Sequence, residues 1–278
     1  MNTVKKIAAI SIMVVLCCVF APTSPAQTPY KNGGLSLEVG DAVTLGRFNY
    51  KDADITIKTE WFHPRGGLEY CFKGTSFSLG AELSFSKNAF DGSYKDEGDG
   101  TVDIERKEFA AFGRLGDKNG SNLRLGYRYF KYNMANGHIY QYYDSGFLEE
   151  EDKNGIATAN MSKGIDVEGT LAYGDKLKFA LSLGYTFFID AEYDWEYDEI
   201  LYPGGNLTHK KGTATLDAHS VRIRPEFSYA VTDNLRVFIN YMLAASAWTG
   251  TPEGEKDYAG VDIYSGACLG LRYFFALN

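Results

Sequence analysis

The sequence contains one Asp-x-His pair, formed by Asp217 and His219. A histidine can take up a proton at neutral pH, and a carboxylate within hydrogen-bonding reach can orient its ring for that task. Asp96 and Asp99 supply further carboxylates in an acidic segment, and His209 supplies a second imidazole. These five residues are the candidate catalytic residues, with general acid-base chemistry as the expected role.

Acidic runs at residues 149–152 and 96–103 raise the separate question of a calcium site, because Ca²⁺ prefers several carboxylate ligands. The second run lacks the ligand spacing of an EF-hand and has Lys107 where the closing glutamate would fall. Both runs are interpreted as solvated loops. Phosphate-binding glycine loops, zinc pairs and serine nucleophile elbows do not occur in the sequence, so no metal or cofactor is expected.

The elements that would position these residues are β-strands, because apolar and polar residues alternate with period two along most of the chain. Phe77, Leu79 and Leu83 share one side of a strand, for example, while Glu82 and Ser84 share the other. This pattern predicts ten strands. They cover residues 35–45, 55–72, 77–86, 104–115, 123–142, 165–173, 177–190, 220–229, 235–243 and 267–275.

The connections between these strands alternate in length. Tight turns are predicted at 73–76, 117–122, 175–176 and 232–234, and long loops near 91–103, 143–162, 198–212 and 251–262. Short turns on one rim and long loops on the other are typical of an outer-membrane barrel. The predicted fold is therefore all-β: a closed antiparallel transmembrane β-barrel of ten strands, with short periplasmic turns and long extracellular loops. The alternative is a soluble β-sandwich or a lipocalin-like barrel, in which the apolar side would face an internal core.

The first 26 residues have the pattern of a secretory signal peptide. Lys5 and Lys6 precede an apolar core at 7–21, and Ser24 to Ala26 gives the small-x-small cleavage pattern. Residues 27–278 are then predicted to form the exported barrel domain, in the outer membrane of a Gram-negative cell. The exported part has 26 basic and 36 acidic residues, a net charge of −10 that argues against a nucleic-acid partner.

The cysteine content does not predict whether a disulfide bond stabilises the fold. Cys17 and Cys18 lie in the signal peptide, so Cys71 and Cys268 are the two cysteines of the barrel domain. Two cysteines do not make a disulfide scaffold, and the sequence leaves open whether they pair.

Several segments resemble the omptins, a family of ten-stranded outer-membrane proteases. The similar stretches are Leu35 to Gly40, Ile55 to Trp61 leading into Phe77 to Ala81, Asn122 to Tyr127, and Thr232 to Val237. The C-terminal stretch Gly266 to Phe275 resembles the last-strand signal that the barrel-assembly machinery reads, with three residues following it. The resemblance also implies a lipopolysaccharide partner, although no basic lipid-binding cluster is identifiable in the sequence.

Omptin chemistry uses two Asp at the second outer loop and an Asp-x-His pair at the fourth. Asp96 and Asp99 match the first requirement, but the seventh strand continues through 190–199 without a histidine. Asp217 and His219 lie on the strand that returns from this loop, at positions where strand alternation points the side chains outward. His209 lies in the loop at 198–212. We therefore expect a surface protein without peptidase activity, a structural or binding protein. The alternatives are an omptin-type endopeptidase and a small passive channel.

The polar side of the strands carries charges of both signs, which predicts an interior filled by ion pairs and water rather than an open pore. The residues expected there are Glu38, Glu60, Glu82, Arg106, Glu108, Arg114, Arg124, Arg128, Asp166, Glu168, Arg222, Arg224, Glu226 and Arg272.

Overall fold

A computed structural model describes residues 33–50, 53–57, 63–94, 98–117, 120–142, 148–250 and 258–277. The predicted signal peptide lies outside these residues, as do Glu60 and Asp96. Within them the chain forms strands joined by turns and bends. A search of the described residues for helices long and apolar enough to cross a membrane finds none.

The described residues form eleven strands in one sheet. They are β1 (Gly34–Tyr50), β2 (Ala53–Ile57), β3 (Pro64–Cys71), β4 (Phe77–Tyr94), β5 (Gly98–Gly116), β6 (Asn122–Tyr142), β7 (Leu148–Tyr173), β8 (Leu177–Leu201), β9 (Asn206–Ala230), β10 (Leu235–Gly250) and β11 (Tyr258–Ala276).

The sheet closes on itself. Neighbouring strands are antiparallel, and β1 pairs with β11 from Gly34 opposite Ala276 to Tyr50 opposite Gly260. Strands β2 and β3 both lie between β1 and β4, β2 beside the upper part of β1 and β3 beside its lower part. They therefore fill one position together, and the predicted closed barrel of ten strand positions is confirmed. Closure removes the unpaired sheet edges that a membrane would not tolerate.

The two faces of the sheet follow the alternation of the sequence. Large apolar residues such as Leu83, Leu125 and Leu269 are about 60% exposed on the outside, whereas charged residues such as Arg124 and Asp166 are buried inside. An apolar outer band around a polar interior is the arrangement of a membrane barrel. The charged residues on the inward side of the strands are buried. This also argues against the soluble alternative, because its core would be apolar.

The short connections agree with the prediction, since residues 72–76, 117–121, 174–176 and 231–234 separate consecutive strands at one end. We call this end the inner rim and the opposite end the outer rim. The predicted long loops near 91–103 and 251–262 are wrong for residues 91–94, 98–103 and 258–262, which belong to β4, β5 and β11. The predicted long loops at 143–162 and 198–212 are wrong over most of their length. Strands β7, β8 and β9 continue through these segments and contain 26, 25 and 25 residues.

A membrane-spanning strand needs about 9–11 residues, so more than half of each of these three strands extends past the apolar band. Together with β6 they form a β-wall that rises at the outer rim. The sequence suggested loops here because acidic residues and glycines interrupt the apolar pattern. Cross-strand pairing continues nonetheless, with register shifts between Met134 and Ile139, Lys153 and Ile156, and Phe188 and Ala191.

Cys71 and Cys268 are both buried and do not form a disulfide with each other. Cys71 lies opposite Gly34 of β1, whereas Cys268 lies opposite Ala42, eight residues further along that strand. Their separation along the barrel wall rules out a covalent bond in this fold.

Candidate functional site

The barrel interior is crossed by a layer of ion pairs, which we call the lumen ion-pair layer. Arg124 lies at its centre and is 1% exposed, with Nη1 2.9 Å from Glu82 and 3.2 Å from Glu168. Asp166 joins Arg128 and Arg222 in the same way. The members are Arg65, Glu82, Arg106, Glu108, Arg124, Arg128, Asp166, Glu168, Arg222 and Arg224.

Two smaller groups of ion pairs lie between this layer and the inner rim. Arg114 Nε is 2.8 Å from Glu69, and Arg272 joins Glu38 and Glu226 at 2.8 and 3.2 Å. The sequence-predicted interior residues within the described part of the chain thus lie on the inward face. Because the guanidinium groups interlock with carboxylates across the bore, the interior is filled rather than open.

The interior changes character towards the outer rim, where apolar residues replace the charged ones. Phe130 and Tyr132 pack edge to face at 4.2 Å, and Phe188 lies 6.5 Å from Phe130. The register shift after Phe188 turns the odd-numbered residues of β8 inward, so Ala191 is fully buried. Sequence reasoning missed this apolar layer because it treated the inward side as uniformly polar. The layer also includes Ile104, Ala159, Met161, Ala214 and Ala218.

The structure separates the candidate catalytic residues from one another. His219 faces outward, as its parity predicted, with Nδ1 2.6 Å from the Tyr185 hydroxyl oxygen and its ring 5.0 Å from that of Phe187. Asp217 is exposed on the same face. The inward residue between them is Ala218, which belongs to the apolar layer. Asp99 is the second residue of β5, and its side chain is outside the described part, as is all of Asp96.

His209 lies near the top of the β8–β9 hairpin. Its Nδ1 is 3.0 Å from Asp198, a carboxylate that also accepts a hydrogen bond from Asn154 at 2.9 Å. The hydrogen bond from Asn154, with that of His209, lowers the pKa of Asp198. This pair lies on the outward face of the β-wall, and both of its residues are at least eight positions along the chain from Asp217 and His219.

A second histidine–carboxylate pair was not singled out from the sequence. His138 Nε2 is 2.8 Å from Glu151, and Tyr202 donates a hydrogen bond to the other oxygen of Glu151 at 3.1 Å. Tyr140 stacks on the imidazole at 4.2 Å. These contacts join β6, β7 and the β8–β9 turn, so the pair fastens three strands of the β-wall. Only the register shifts in β6 bring the two residues together, and the sequence pattern does not reveal them.

Part of the acidic run at 149–152 forms a cluster on the inward face of the β-wall. Glu150, Asp152 and Glu199 have carboxylate oxygens within 4.8 Å of one another, and Lys210 forms an ion pair with Glu199. Burial, together with the nearby charges of Glu150 and Glu199, raises the pKa of Asp152 to about 7. The run is therefore a set of interacting strand residues and not the solvated loop that was predicted. The acidic segment beginning at Asp96 is outside the described residues as far as position 97.

A row of lysines follows the outward face at the upper edge of the apolar band. Lys107 of β5 lies directly opposite Lys131 of β6, and Phe85 of β4 lies opposite Lys107 on its other side. Lys87 and Lys163 occupy outward, exposed positions on β4 and β7. The sequence alone did not identify a basic cluster at these positions. The row is spread over four strands that are separate in sequence, so only the strand pairing reveals it.

Like charges directly opposite each other destabilise an antiparallel pair of strands. Glu105 compensates Lys107 at 3.0 Å, but Lys131 has no carboxylate partner among the described residues. Within this row, Lys107 and Lys131 lie opposite each other with one carboxylate contact in the part of the chain that the structure describes, that of Glu105 with Lys107.

The fold and its interior define a class: a closed outer-membrane barrel with an ion-paired lumen and an extended outer rim. No protein-family model matches the chain, and no curated protein matches it. Among solved structures it resembles the outer membrane protease OmpT of Escherichia coli, with 15% identity and a TM-score of 0.53 over 91% of this chain and 99% of that one. The fold is thus that of an omptin-like outer-membrane barrel.

Lower similarity is found with two other bacterial barrels. The translocator domain of the autotransporter NalP from Neisseria meningitidis has 13% identity and a TM-score of 0.41, covering 98% of this chain and 96% of its own. The toluene transporter TodX of Pseudomonas putida has 10% identity and a TM-score of 0.47, covering 88% and 90%.

Proposed function

We propose that the protein is a structural or ligand-binding barrel of the bacterial outer membrane, exported by a cleaved signal peptide, with no peptidase activity. The observation that carries this proposal is the orientation of His219. Its imidazole lies on the outside of the barrel against Tyr185 and Phe187, whereas the inward position beside it is Ala218. A general base must reach the proton that it removes, and a ring on the lipid side of the wall cannot reach a substrate in the cleft.

Peptide hydrolysis by the refolded barrel tests this proposal. The protein is incubated with a fluorogenic dibasic peptide in detergent and in lipopolysaccharide-containing vesicles, beside the variants His209→Ala and His219→Ala. We expect no cleavage above that of buffer. Cleavage that disappears in either histidine variant would make the protein an endopeptidase and overturn the proposal.

The ion-paired lumen argues against the alternative function of a passive channel. Arg124 and its partners cross the bore, so their side chains occupy space through which ions would have to pass. We expect no single-channel steps in a planar bilayer. The double variant Arg124→Ala/Glu82→Ala removes two of the blocking side chains and serves as a positive control for conductance.

We further propose that the lysine row contacts the phosphates of lipopolysaccharide in the outer leaflet. The row lies at the aromatic edge of the apolar band, with Phe85 level with Lys107 and Tyr127 facing outward below Lys131, and that edge is the level of lipid head groups. Lys107 and Lys131 repel each other across β5 and β6, and a phosphate group between them would reverse the sign of that interaction. A phosphate group would add a second negative charge beside Lys107 and Lys131, next to that of Glu105.

Stability in two kinds of vesicle tests the lipid contact. In lipopolysaccharide vesicles the variant Lys107→Ala/Lys131→Ala should unfold at lower urea concentration than the wild type, while in phosphatidylcholine vesicles it should be as stable or more so. Lys211→Ala, an exposed lysine higher on the β-wall, is the matched control. An equal effect of the double variant in both vesicles would contradict the contact.

Assembly through the last strand is the remaining part of the proposal. Gly266 to Phe275 lies in β11, where Tyr273 and Phe275 pack at 4.5 Å on the outward face. Strand β11 also closes the barrel against β1, so its recognition by the barrel-assembly machinery would place closure under the control of that machinery. Phe275→Ala should slow insertion by purified assembly machinery while leaving spontaneous refolding into detergent unchanged. If Phe275→Ala slowed assisted insertion and spontaneous refolding equally, recognition of β11 by the assembly machinery would be contradicted.

A further inference from the structure

Asn240 is a buried polar residue on the inward face of β10. It is 3% exposed, and neither its amide nitrogen nor its amide oxygen has a hydrogen-bond partner among the residues that the structure describes. Buried side-chain amides are nearly always hydrogen-bonded, because an unsatisfied group loses the hydrogen bonds that it makes with water in the unfolded chain. The side chain therefore needs an acceptor for Nδ2 and a donor for Oδ1.

The residues directly opposite Asn240 explain why it lacks these partners. On β9 it faces Glu226, whose two carboxylate oxygens accept hydrogen bonds from Nη1 and Nη2 of Arg272 at 3.2 and 3.3 Å. On β11 it faces Cys268, and a thiol is a weak donor and a weak acceptor. Glu226 is thus held by another residue, and Cys268 is poorly suited to bind an amide.

A cavity of about 50 Å³ adjoins Asn240. One buried water needs roughly 10–15 Å³ of such space, so the cavity has room for about three or four waters. Most of the atoms that line it are apolar, and Met242 and Cys268 belong to its wall on β10 and β11. Because an apolar cavity can stay dry, the polar atoms at its boundary decide whether water enters.

Arg224 brings further polar atoms to the same cavity. It lies on β9 two residues from Glu226, so it is a diagonal neighbour of Asn240 across the strand pair. Its Nη2 donates to Glu168 at 2.8 Å, and the guanidinium group has four more N–H donors. Ser84 also lines the cavity, and its hydroxyl oxygen can still accept while it donates to Glu108 at 3.2 Å. The cavity therefore offers the roughly three partners that an ordered buried water needs.

We propose that the cavity binds ordered water that joins the amide of Asn240 to the guanidinium group of Arg224. Water is both a donor and an acceptor, so it can accept hydrogen bonds from Nδ2 and from Arg224 and donate one to Oδ1. Because water is neutral, the site does not depend on the balance of charges in the lumen. The bound water connects β10, which contributes none of the named members of the lumen ion-pair layer, to that layer. The inference is independent of the function proposed above.

Crystals of the refolded barrel, examined at high resolution with and without xenon, decide between water and a dry cavity. An empty apolar cavity binds xenon, whereas a cavity filled by hydrogen-bonded water does not. In the wild type we expect an ordered water within hydrogen-bonding distance of Asn240 and no anomalous xenon peak in the cavity. A xenon peak there, or the absence of ordered water beside Asn240, would overturn the proposal.

Two variants show whether the amide holds the water. Asn240→Leu replaces the amide by an apolar side chain of similar size, so the water beside it should be lost. Met242→Leu changes an apolar residue of the same cavity lining and should keep the water. Equal occupancy of the water in the two variants would contradict the role of Asn240.

Nuclear Overhauser effects give a solution test on the wild type alone. In deuterated detergent the side-chain amide protons of Asn240 should show a cross-peak to water, although the residue is buried. The absence of this cross-peak in the wild-type barrel would also overturn the proposal, whether or not the variants fold.

Discussion

His219 and Tyr185 form a hydrogen-bonded pair on the outside of the barrel, with 2.6 Å between the imidazole Nδ1 and the phenol oxygen. The rings are nearly parallel, with an interplanar angle of 24° and 5.9 Å between their centres. Aromatic residues with one polar end favour the boundary between hydrocarbon and water. The histidine of the one Asp-x-His motif therefore serves the membrane-facing surface and not the cleft.

Replacement of His219 by phenylalanine should cost little stability. His219→Phe keeps the ring contacts with Tyr185 and Phe187 and loses the hydrogen bond, a change of about 1 kcal/mol. His219→Ala loses both and should cost about 2 kcal/mol, since an aromatic pair adds its own contribution. Urea titration of the refolded barrel in vesicles measures both values. A larger loss in the phenylalanine variant than in the alanine variant would contradict this role.

Replacing Arg124 should lower the free energy of unfolding more than replacing any other single residue of the lumen. Arg124→Met removes the partner of Glu82 and Glu168 and leaves both carboxylates with fewer compensating charges, so we expect a loss of about 3–5 kcal/mol. The same urea titration measures it. Lys107→Met, which breaks an exposed ion pair with Glu105, is the control and should cost at most about 1 kcal/mol.

The double variant Arg124→Met/Glu82→Gln decides whether the loss comes from charge. Neutralising Glu82 removes one of the two carboxylates that lose Arg124, so part of the stability should return. If the double variant is less stable than Arg124→Met by the full cost of Glu82→Gln, the two residues act independently and the layer does not behave as a network.

The alternation of residue types was enough to predict the closed barrel, the inner-rim turns and the residues that face the lumen. Period-two patterning fixes which face each side chain occupies as long as the register is unbroken. The same reasoning could not predict the packing inside. It treated Gly80 and Gly126 as members of a polar face, whereas the ring of Phe112 lies over Gly80 and the Cα and Cβ atoms of Phe112 lie close to Gly126.

Glycines opposite inward phenylalanines recur around the barrel. Phe188 covers Gly164 and Phe238 covers Gly270, each as a directly opposed cross-strand pair. The rings occupy the space that a side chain on the glycine would need. Such pairs are invisible in a single strand, because they depend on which residues two strands bring opposite each other.

Gly126→Ala should therefore destabilise the barrel. A Cβ atom at this position would lie 2.2 Å from the backbone oxygen of Ala111 and 2.8 Å from Cβ of Phe112, so the sheet itself must shift. We expect a loss of about 1–3 kcal/mol in the urea titration. Gly67→Ala is the matched control, because its Cβ would meet Glu82 at 3.4 Å, an ordinary contact. Equal losses in the two variants would show that the close approach is not the cause.

The outer rim was harder to predict than the band within the membrane. The odd-numbered residues of β8 face outward up to the register shift after Phe188 and inward beyond it, so Tyr193 packs against the apolar layer. A shift of one residue exchanges the two faces of a strand, and no residue type in the sequence marks it. The pairs of His138 with Glu151 and of Asp152 with Glu199 both depend on such shifts.

The acidic cluster of the β-wall should make the stability of the barrel depend on pH. Burial and the charges of Glu150 and Glu199 raise the pKa of Asp152 to about 7, whereas in the unfolded chain it is near the ordinary value of about 4. The folded protein therefore binds this proton more tightly than the unfolded chain. Its contribution is fully present below about pH 4 and is lost as pH rises to about 7. Lys210 reduces the effect, because it compensates Glu199.

Urea titrations at pH 5 and pH 8 measure this dependence. The wild type should lose about 1–2 kcal/mol between these two pH values from Asp152, after allowance for the screening of a partly exposed group. Asp152→Asn has no proton to lose, so it should show a smaller loss and be more stable than the wild type at pH 8. Asp198→Asn, which changes a carboxylate with a lowered pKa, is the control and should not remove the loss. A wild type and an Asp152→Asn variant with the same pH dependence would show that the three carboxylates do not share a proton at neutral pH.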